Sequence, residues 1–203
     1  MTRPAWVVGL TGGIGSGKSA AAARFGERGA AIVDTDVIAH ALTGPGGAAM
    51  AAIREAFGEA VIDADGGLDR RAMRDRVFDA PAERARLEAI LHPMIRAESD
   101  RQCRAAQAPY VVLVVPLLVE SGRYRERCDR IVVVDCPEAV QRARVMARSG
   151  LPEAQVRAIM AAQAGREARL AVADDVIDNS GDLTVLERQV DTLHQRYLQL
   201  ASA

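Results

Sequence analysis

The 203 residues suffice for one ordinary domain with a real core and a small insertion. Basic and acidic residues nearly cancel (26 against 27), so no net field recruits nucleic acid or membrane, and aromatics make up 3% of the chain, which further weakens a base-stacking reading. Cys103, Cys128 and Cys136 lack C-x-x-C spacing, His40, His92 and His194 lie far apart, and no apolar run spans a bilayer. The expectation is a cytoplasmic protein with reduced, buried thiols and no signal peptide, partnered by small molecules and not by nucleic acid or membrane, and present as a monomer or weak homo-oligomer.

In chain order, Ala5–Leu10 is a short apolar run of the kind that makes a buried parallel strand. It leads into Gly12, Gly13, Ile14, Gly15, Ser16, Gly17, Lys18 and Ser19, which fit the G-x-x-x-x-G-K-S phosphate-binding loop. Glycines let the backbone turn its N–H groups toward anionic oxygen, and the helix that follows, Ser19–Arg28 with Ala20 in its first turn, adds its positive end. Lys18 reaches the β/γ-phosphates and the Ser19 hydroxyl holds Mg²⁺. Lys18 is also the only lysine in the chain; every other fixed cation is an arginine.

A second strand, Ala30–Asp34, ends in Asp34-Thr35-Asp36. If its period of two continues, both carboxylates point the same way at the carboxyl end, where open α/β sheets bind ligands. Residues 37–107 read as mostly helical, interrupted at Thr43–Gly47 and Asp63–Gly67. The second interruption resembles a calcium loop only superficially, since its first glycine comes two places early, and it reads as a plain turn. Asp69 and Asp79 stand at N-cap positions, with Pro81 in a first turn. Arg70, Arg71, Arg74 and Arg76 read as a solvated helix face.

Tyr110–Val115 and Arg130–Asp135 are continuous β-branched strands stopped by Pro116 and Pro137. Glu138–Arg148 and Pro152–Val172 read as two arginine-bearing helices, Asp174–Asp178 as a weaker fifth strand. A last helix opens with a capping box from Thr184 to Glu187 and carries Leu186, Val190, Leu193 and Tyr197 at helical spacing.

A switch GTPase needs an Asn-Lys-x-Asp base-reading motif, which a chain with its single lysine in the phosphate loop cannot supply. A large ATPase wants an apolar strand ending in Asp-Glu, whereas these strands end in Val115-Pro116 and Asp135-Cys136. What remains is a small-molecule kinase, which needs a phosphate cradle, a metal, a base near the acceptor hydroxyl and arginines for the transferring charge. The residues alone do not name the acceptor, and a nucleotide-binding regulator is the reading from another class.

From Val8 to about Leu198 the chain resembles the dephospho-CoA kinase family. The resemblance rests on GLTGGIGSGKS at 9–19, D-x-D at 34–36, LHPMI at 91–95, PLLVE at 116–120 and AAQAGREARLAVADDVIDNSG at 161–181. It implies an α/β P-loop kinase fold: a five-stranded parallel sheet in order 2-3-1-4-5, a helical substrate insertion at 37–107 and a helical lid at 138–172. It implies ATP-dependent phosphorylation of the ribose 3′-hydroxyl of dephospho-CoA, with Mg²⁺. Asp36 would act on that hydroxyl, and Lys18, Arg144 and Arg148 on the transferring phosphate. Asp34, Leu91, His92, Pro93, Pro116 and Leu117 would serve the acceptor, and Asn179 would lie beside the adenine. His92 reads equally as a helix-break residue holding Pro93. Three positions depart from the family pattern: Ala20 where Thr is common, Val114 where Asp is common, and Ser149 where the lid usually has an acid. They remove a spare hydroxyl near the metal, some help in orienting Asp36's target, and a tie on the lid arginine.

Overall fold

Valine-rich runs set the architecture, because a strand apolar on both faces is stable only between two layers of helices. The computed structural model describes residues 6–122 and 124–203. The strands are β1 (Val7–Thr11), β2 (Ala31–Asp34), β3 (Val111–Val114), β4 (Arg130–Asp135) and β5 (Asp175–Asp178). They form one five-stranded parallel sheet in the order β2-β3-β1-β4-β5. Val8 lies opposite Val112 on one side and Arg130 on the other; Val133 lies opposite Val176. β1 and β3 are buried along their whole length, as is β4 after Arg130. The expected first strand began at Ala5, which lies outside the described residues.

The chain divides into two compact units, one of the residues up to Val33 together with Cys103–Ala203, the other of Asp34–Gln102. The first unit holds the body of the sheet with α1 (Lys18–Glu27), α6 (Leu118–Ser121), α7 (Glu138–Ser149), α8 (Glu153–Ala161), α9 (Arg166–Ala171) and α10 (Leu183–Ser202). Its core joins Val8, Leu10, Val112, Val132 and Ile177 of the strands to Phe25 of α1 and Leu186, Val190 and Tyr197 of α10. Arg24 and Arg28 of α1 both clasp Asp191 of α10, which holds that carboxylate far below its ordinary range. Buried Asp175 is held by Arg130, Arg196 and the Tyr197 hydroxyl. The three cysteines are buried and form no disulfide among the described residues.

The second unit contains α2 (Thr35–Leu42), α3 (Met50–Phe57), α4 (Arg70–Val77) and most of α5 (Pro81–Ala105). Its own core is Ala49, Met50, Ile53, Phe57, Val61, Leu68 and Met73. Asp69 caps α4 through the N–H groups of Arg71 and Ala72. The turn at Asp63–Gly67 closes on the Asp63 carboxylate, which accepts from Asp65 and Gly67 N–H.

Four expectations are corrected. The period of two does not continue past β2: the Asp34 carboxylate accepts from Asp36 N–H at 2.8 Å and from Val37 N–H, capping α2, so Asp36 stands in a helical first turn. The second arginine-bearing helix is two helices, α8 and α9, separated at Ala162–Gly165. α5 runs unbroken through Pro93, so His92 ends no helix. The last helix starts at Leu183 behind Asp182 with no side-chain cap, so Thr184 lies inside it and forms no capping box.

Candidate active site

The phosphate loop is built by crowding. A Cβ on Gly12 would stand 2.5 Å from Ser16 Oγ and 2.6 Å from the Val134 carbonyl; one on Gly15 would stand 2.6 Å from the Gln141 carbonyl. At Gly17 a Cβ would overlap the Asn179 amide, and φ is +99°, a left-handed conformation that glycine adopts without strain. The loop closes on itself through Ser16 N–H to the Gly13 carbonyl at 3.0 Å.

Helix α1 then starts at Lys18 with no capping side chain and no acid in its first turn. In the same chain, α2 and α4 each have an aspartate doing that work. The uncapped N-terminus leaves its positive end for an external anion. Two buried polar atoms beside the loop, Ser16 Oγ and Gln141 Oε1, have no hydrogen-bond partner among the described residues. Ser19 is exposed in the first helical turn, and Ala20 beside it is half-buried. Its hydroxyl is a hard oxygen donor of the type Mg²⁺ takes when phosphates and water supply the remaining ligands. Among the described residues no group of three or more His, Cys, Asp or Glu is arranged to hold a metal.

Neighbouring strand ends complete this first-unit site. The Thr11 hydroxyl at the end of β1 meets the Pro116 carbonyl beyond β3 at 3.4 Å, and Leu117 next to it is exposed. Asn179, at the end of β5, is buried and donates from Nδ2 to the Ser16 carbonyl at 2.7 Å. Gln141 of α7 donates to the Cys136 carbonyl, and Arg144 one turn on approaches Cys136 Sγ at 3.8 Å. Burial pushes the Cys136 thiol up, so it stays protonated beside that guanidinium.

The arginines divide by partner. Arg166 forks onto Asp135 at the end of β4, with contacts of 2.7 to 3.0 Å, while Arg142 and Arg157 share Glu153. Arg148 is exposed at the end of α7 and has no ion pair among the described residues; Ser149 after it bonds back to the Val145 carbonyl. Gln163, Arg169 and Glu120 are the residues that motif reading did not assign. Gln163 accepts from Ile14 N–H at 3.0 Å, Glu120 from Ala164 N–H at 2.6 Å, and Arg169 donates to the Ala164 carbonyl. The sequence signal for this stretch is Gly165, a breaker inside an otherwise helical pattern.

In the second unit, Asp34 caps α2 and Asp36 is exposed one residue into it. Leu91 packs at the edge of that unit's core, and His92 and Pro93 are exposed on α5.

The dephospho-CoA kinase family model matches residues 6–184. A dephospho-CoA kinase of Aromatoleum aromaticum is 69% identical over 198 residues, covering 98% of this chain and 97% of its own length. The crystal structure of TT1252 from Thermus thermophilus superposes with a TM-score of 0.83 at 34% identity, covering 96% of this chain and 98% of its own. A dephospho-CoA kinase from Campylobacter jejuni shares the fold, with a TM-score of 0.72 at 22% identity over 95% of this chain and 97% of its own. By motif, sheet order and full-length similarity, the chain belongs to the dephospho-CoA kinase family.

Proposed function

We propose that this chain transfers the γ-phosphoryl group of ATP to the ribose 3′-hydroxyl of dephospho-CoA, giving ADP and coenzyme A. The observation that carries it is the uncapped α1 N-terminus behind a complete phosphate loop, in a chain matched end to end by dephospho-CoA kinases. Backbone N–H groups of Gly12–Lys18 cradle the phosphates, and the Lys18 ammonium sits on the β/γ oxygens as a compact charge. Ser19 would hold Mg²⁺, which would supply charge neutralisation for phosphoryl transfer.

Asp36 accepts or orients the acceptor hydroxyl's proton, a role suited to an exposed carboxylate in a helical first turn whose neighbour Asp34 fixes the backbone. Arg144 and Arg148, four apart on α7, share one helix face and meet the transferring charge. Neither is committed to an ion pair among the described residues; Arg144 is half-buried against Cys136 Sγ and Arg148 is exposed. Asn179 shapes the ATP side of the loop. Asp34, Leu91, His92 and Pro93 serve the CoA moiety, Pro116 and Leu117 serve the acceptor, and residues 138–172 act as the lid. The buried cysteines, outside any disulfide among the described residues, fit a reducing cytoplasm.

A coupled ADP-release assay with ATP against a panel of acceptors tests the reading. Turnover with dephospho-CoA and not with nucleoside monophosphates is the expected result. Turnover only with nucleoside monophosphates rejects the substrate, and turnover with no acceptor favours a nucleotide-binding regulator.

A further inference from the structure

The break between α8 and α9 is tied to the phosphate loop by a chain of contacts inside the first unit. Gln163 Oε1 accepts from Ile14 N–H at 3.0 Å, so one of the loop's own amides is held from outside. The next residue, Ala164, is held twice: its N–H donates to Glu120 at 2.6 Å and its carbonyl accepts from Arg169 Nη1. Arg169 is 6% exposed and has no carboxylate partner among the described residues. Its Nη2 lies 2.9 Å from where a Cβ on Gly13 would stand, and Gln141 Oε1 lies 2.6 Å from the same point. A buried guanidinium without an acid is costly unless something nearby uses its charge, and here it faces the loop that receives an anion.

A loop with glycine at positions 12, 13, 15 and 17 is entropically expensive to hold in one shape, so its rigidity has to come from its neighbours. Asn179 fixes the Ser16 end. We propose that Gln163 and Arg169 are positioning residues for phosphoryl transfer: acting as one unit through Ala164, they fix the Gly13–Ile14 end of the phosphate loop. They thereby set the line of the γ-phosphate toward the acceptor. This inference rests on the kinase reading above. It also gives the α8–α9 break a purpose, since an unbroken helix would put the backbone N–H and carbonyl of Ala164 into helical bonds and leave neither for Glu120 and Arg169.

The test uses Gln163→Ala, Arg169→Lys and the double variant of the full chain, assayed with ATP and dephospho-CoA beside a nucleotide-free thermal melt. Gln163→Ala should lower kcat about 10- to 100-fold with KM for ATP within about threefold and an unchanged melt, because small misplacements cost rate before binding. The double variant should be no slower than the worse single variant, as expected of residues acting as one unit. A kcat within about twofold of wild type for Gln163→Ala, or losses that multiply in the double variant, overturns the proposal. Amide exchange at Ile14, followed by NMR without nucleotide, reads the tie independently of any acceptor. Exchange faster by about tenfold in Gln163→Ala supports it, and unchanged exchange overturns it. If wild type does not turn over dephospho-CoA while Ile14 exchange rises in the variant, the substrate reading has failed and the loop tie stands.

Discussion

Asn179→Ala separates two jobs that one amide could have. Resemblance alone places Asn179 beside the adenine, whereas its Nδ2 donates to the Ser16 carbonyl at 2.7 Å, and both residues are buried. Removing the donor leaves that carbonyl unsatisfied in a dry site, a loss of about 1–3 kcal/mol. In a chain of this size each kcal/mol moves Tm by about 2–4 °C, so the nucleotide-free melt should fall by about 2–12 °C. The loop also loses its anchor next to Gly17, where the close approach of Asn179 leaves no room for a side chain. A displacement of about 1 Å there should cost up to about 10²-fold in kcat. The assay is a melt without nucleotide beside steady-state kinetics, with Asn179→Asp as a second variant that keeps the size and faces a carboxylate oxygen to the carbonyl. A melt within about 1 °C of wild type, with the whole effect in KM for ATP, would refute the anchoring role and leave only a base contact.

Asp36→Asn should lower kcat by about 10²–10⁴ with ATP binding little changed, the loss of a positioned base. Asp34→Ala should instead cost about 0.5–2 kcal/mol of stability as a lost N-cap, seen by melt, and equal kcat losses with weakened ATP binding for both would show that the pair holds metal. Arg148→Ala should lower kcat and kcat/KM together, with Arg144→Ala smaller because Arg144 already leans on Cys136; an effect of both confined to KM would mean ATP binding without transition-state stabilisation. His194 of α10 is buried with Nδ1 against the Tyr110 hydroxyl; burial, helped by Arg28 and opposed by Asp191, holds its pKa below 6.5. The folded state therefore binds that proton less readily than the unfolded chain, so stability is intact above about pH 6.5 and falls as pH drops through that value. His194→Gln should flatten the dependence of Tm on pH between about 7 and 5.5, and an identical slope in the variant would contradict this.

The sheet was legible because continuous β-branched runs admit few other placements: Arg130–Asp135 was read to the residue, β2 and β5 start one residue later than expected, β3 is a residue shorter at each end, and β1 runs one residue further, to Thr11. The phosphate loop was legible because each of its residues answers a chemical need. Where reading failed, a local hydrogen bond or a distant partner decided. Asp34 turned its carboxylate onto the backbone and started a helix where a strand period was being counted. The α8–α9 break is held by Glu120 and Arg169, and Glu120 is 44 residues away from the Ala164 N–H it accepts. Gln163 acts on the Ile14 N–H of the loop, while Gln141 and Arg169 beside it donate to the Cys136 and Ala164 carbonyls, and a bond to a backbone group imposes no residue type on its partner that a motif could display. Thr184 had the spacing of a capping box, yet the chain entered α10 two residues earlier, behind Asp182.

The most direct test of the central claim is the chemical identity of the product. Purified protein is incubated with ATP, Mg²⁺ and dephospho-CoA, and the product is examined by mass spectrometry and phosphorus NMR. The account predicts one added phosphoryl group per acceptor, carried as a monoester on the ribose 3′-oxygen, formed one for one with ADP and lost in Lys18→Ala. ADP released with the acceptor unchanged, or a phosphoryl group on any other oxygen, would contradict it.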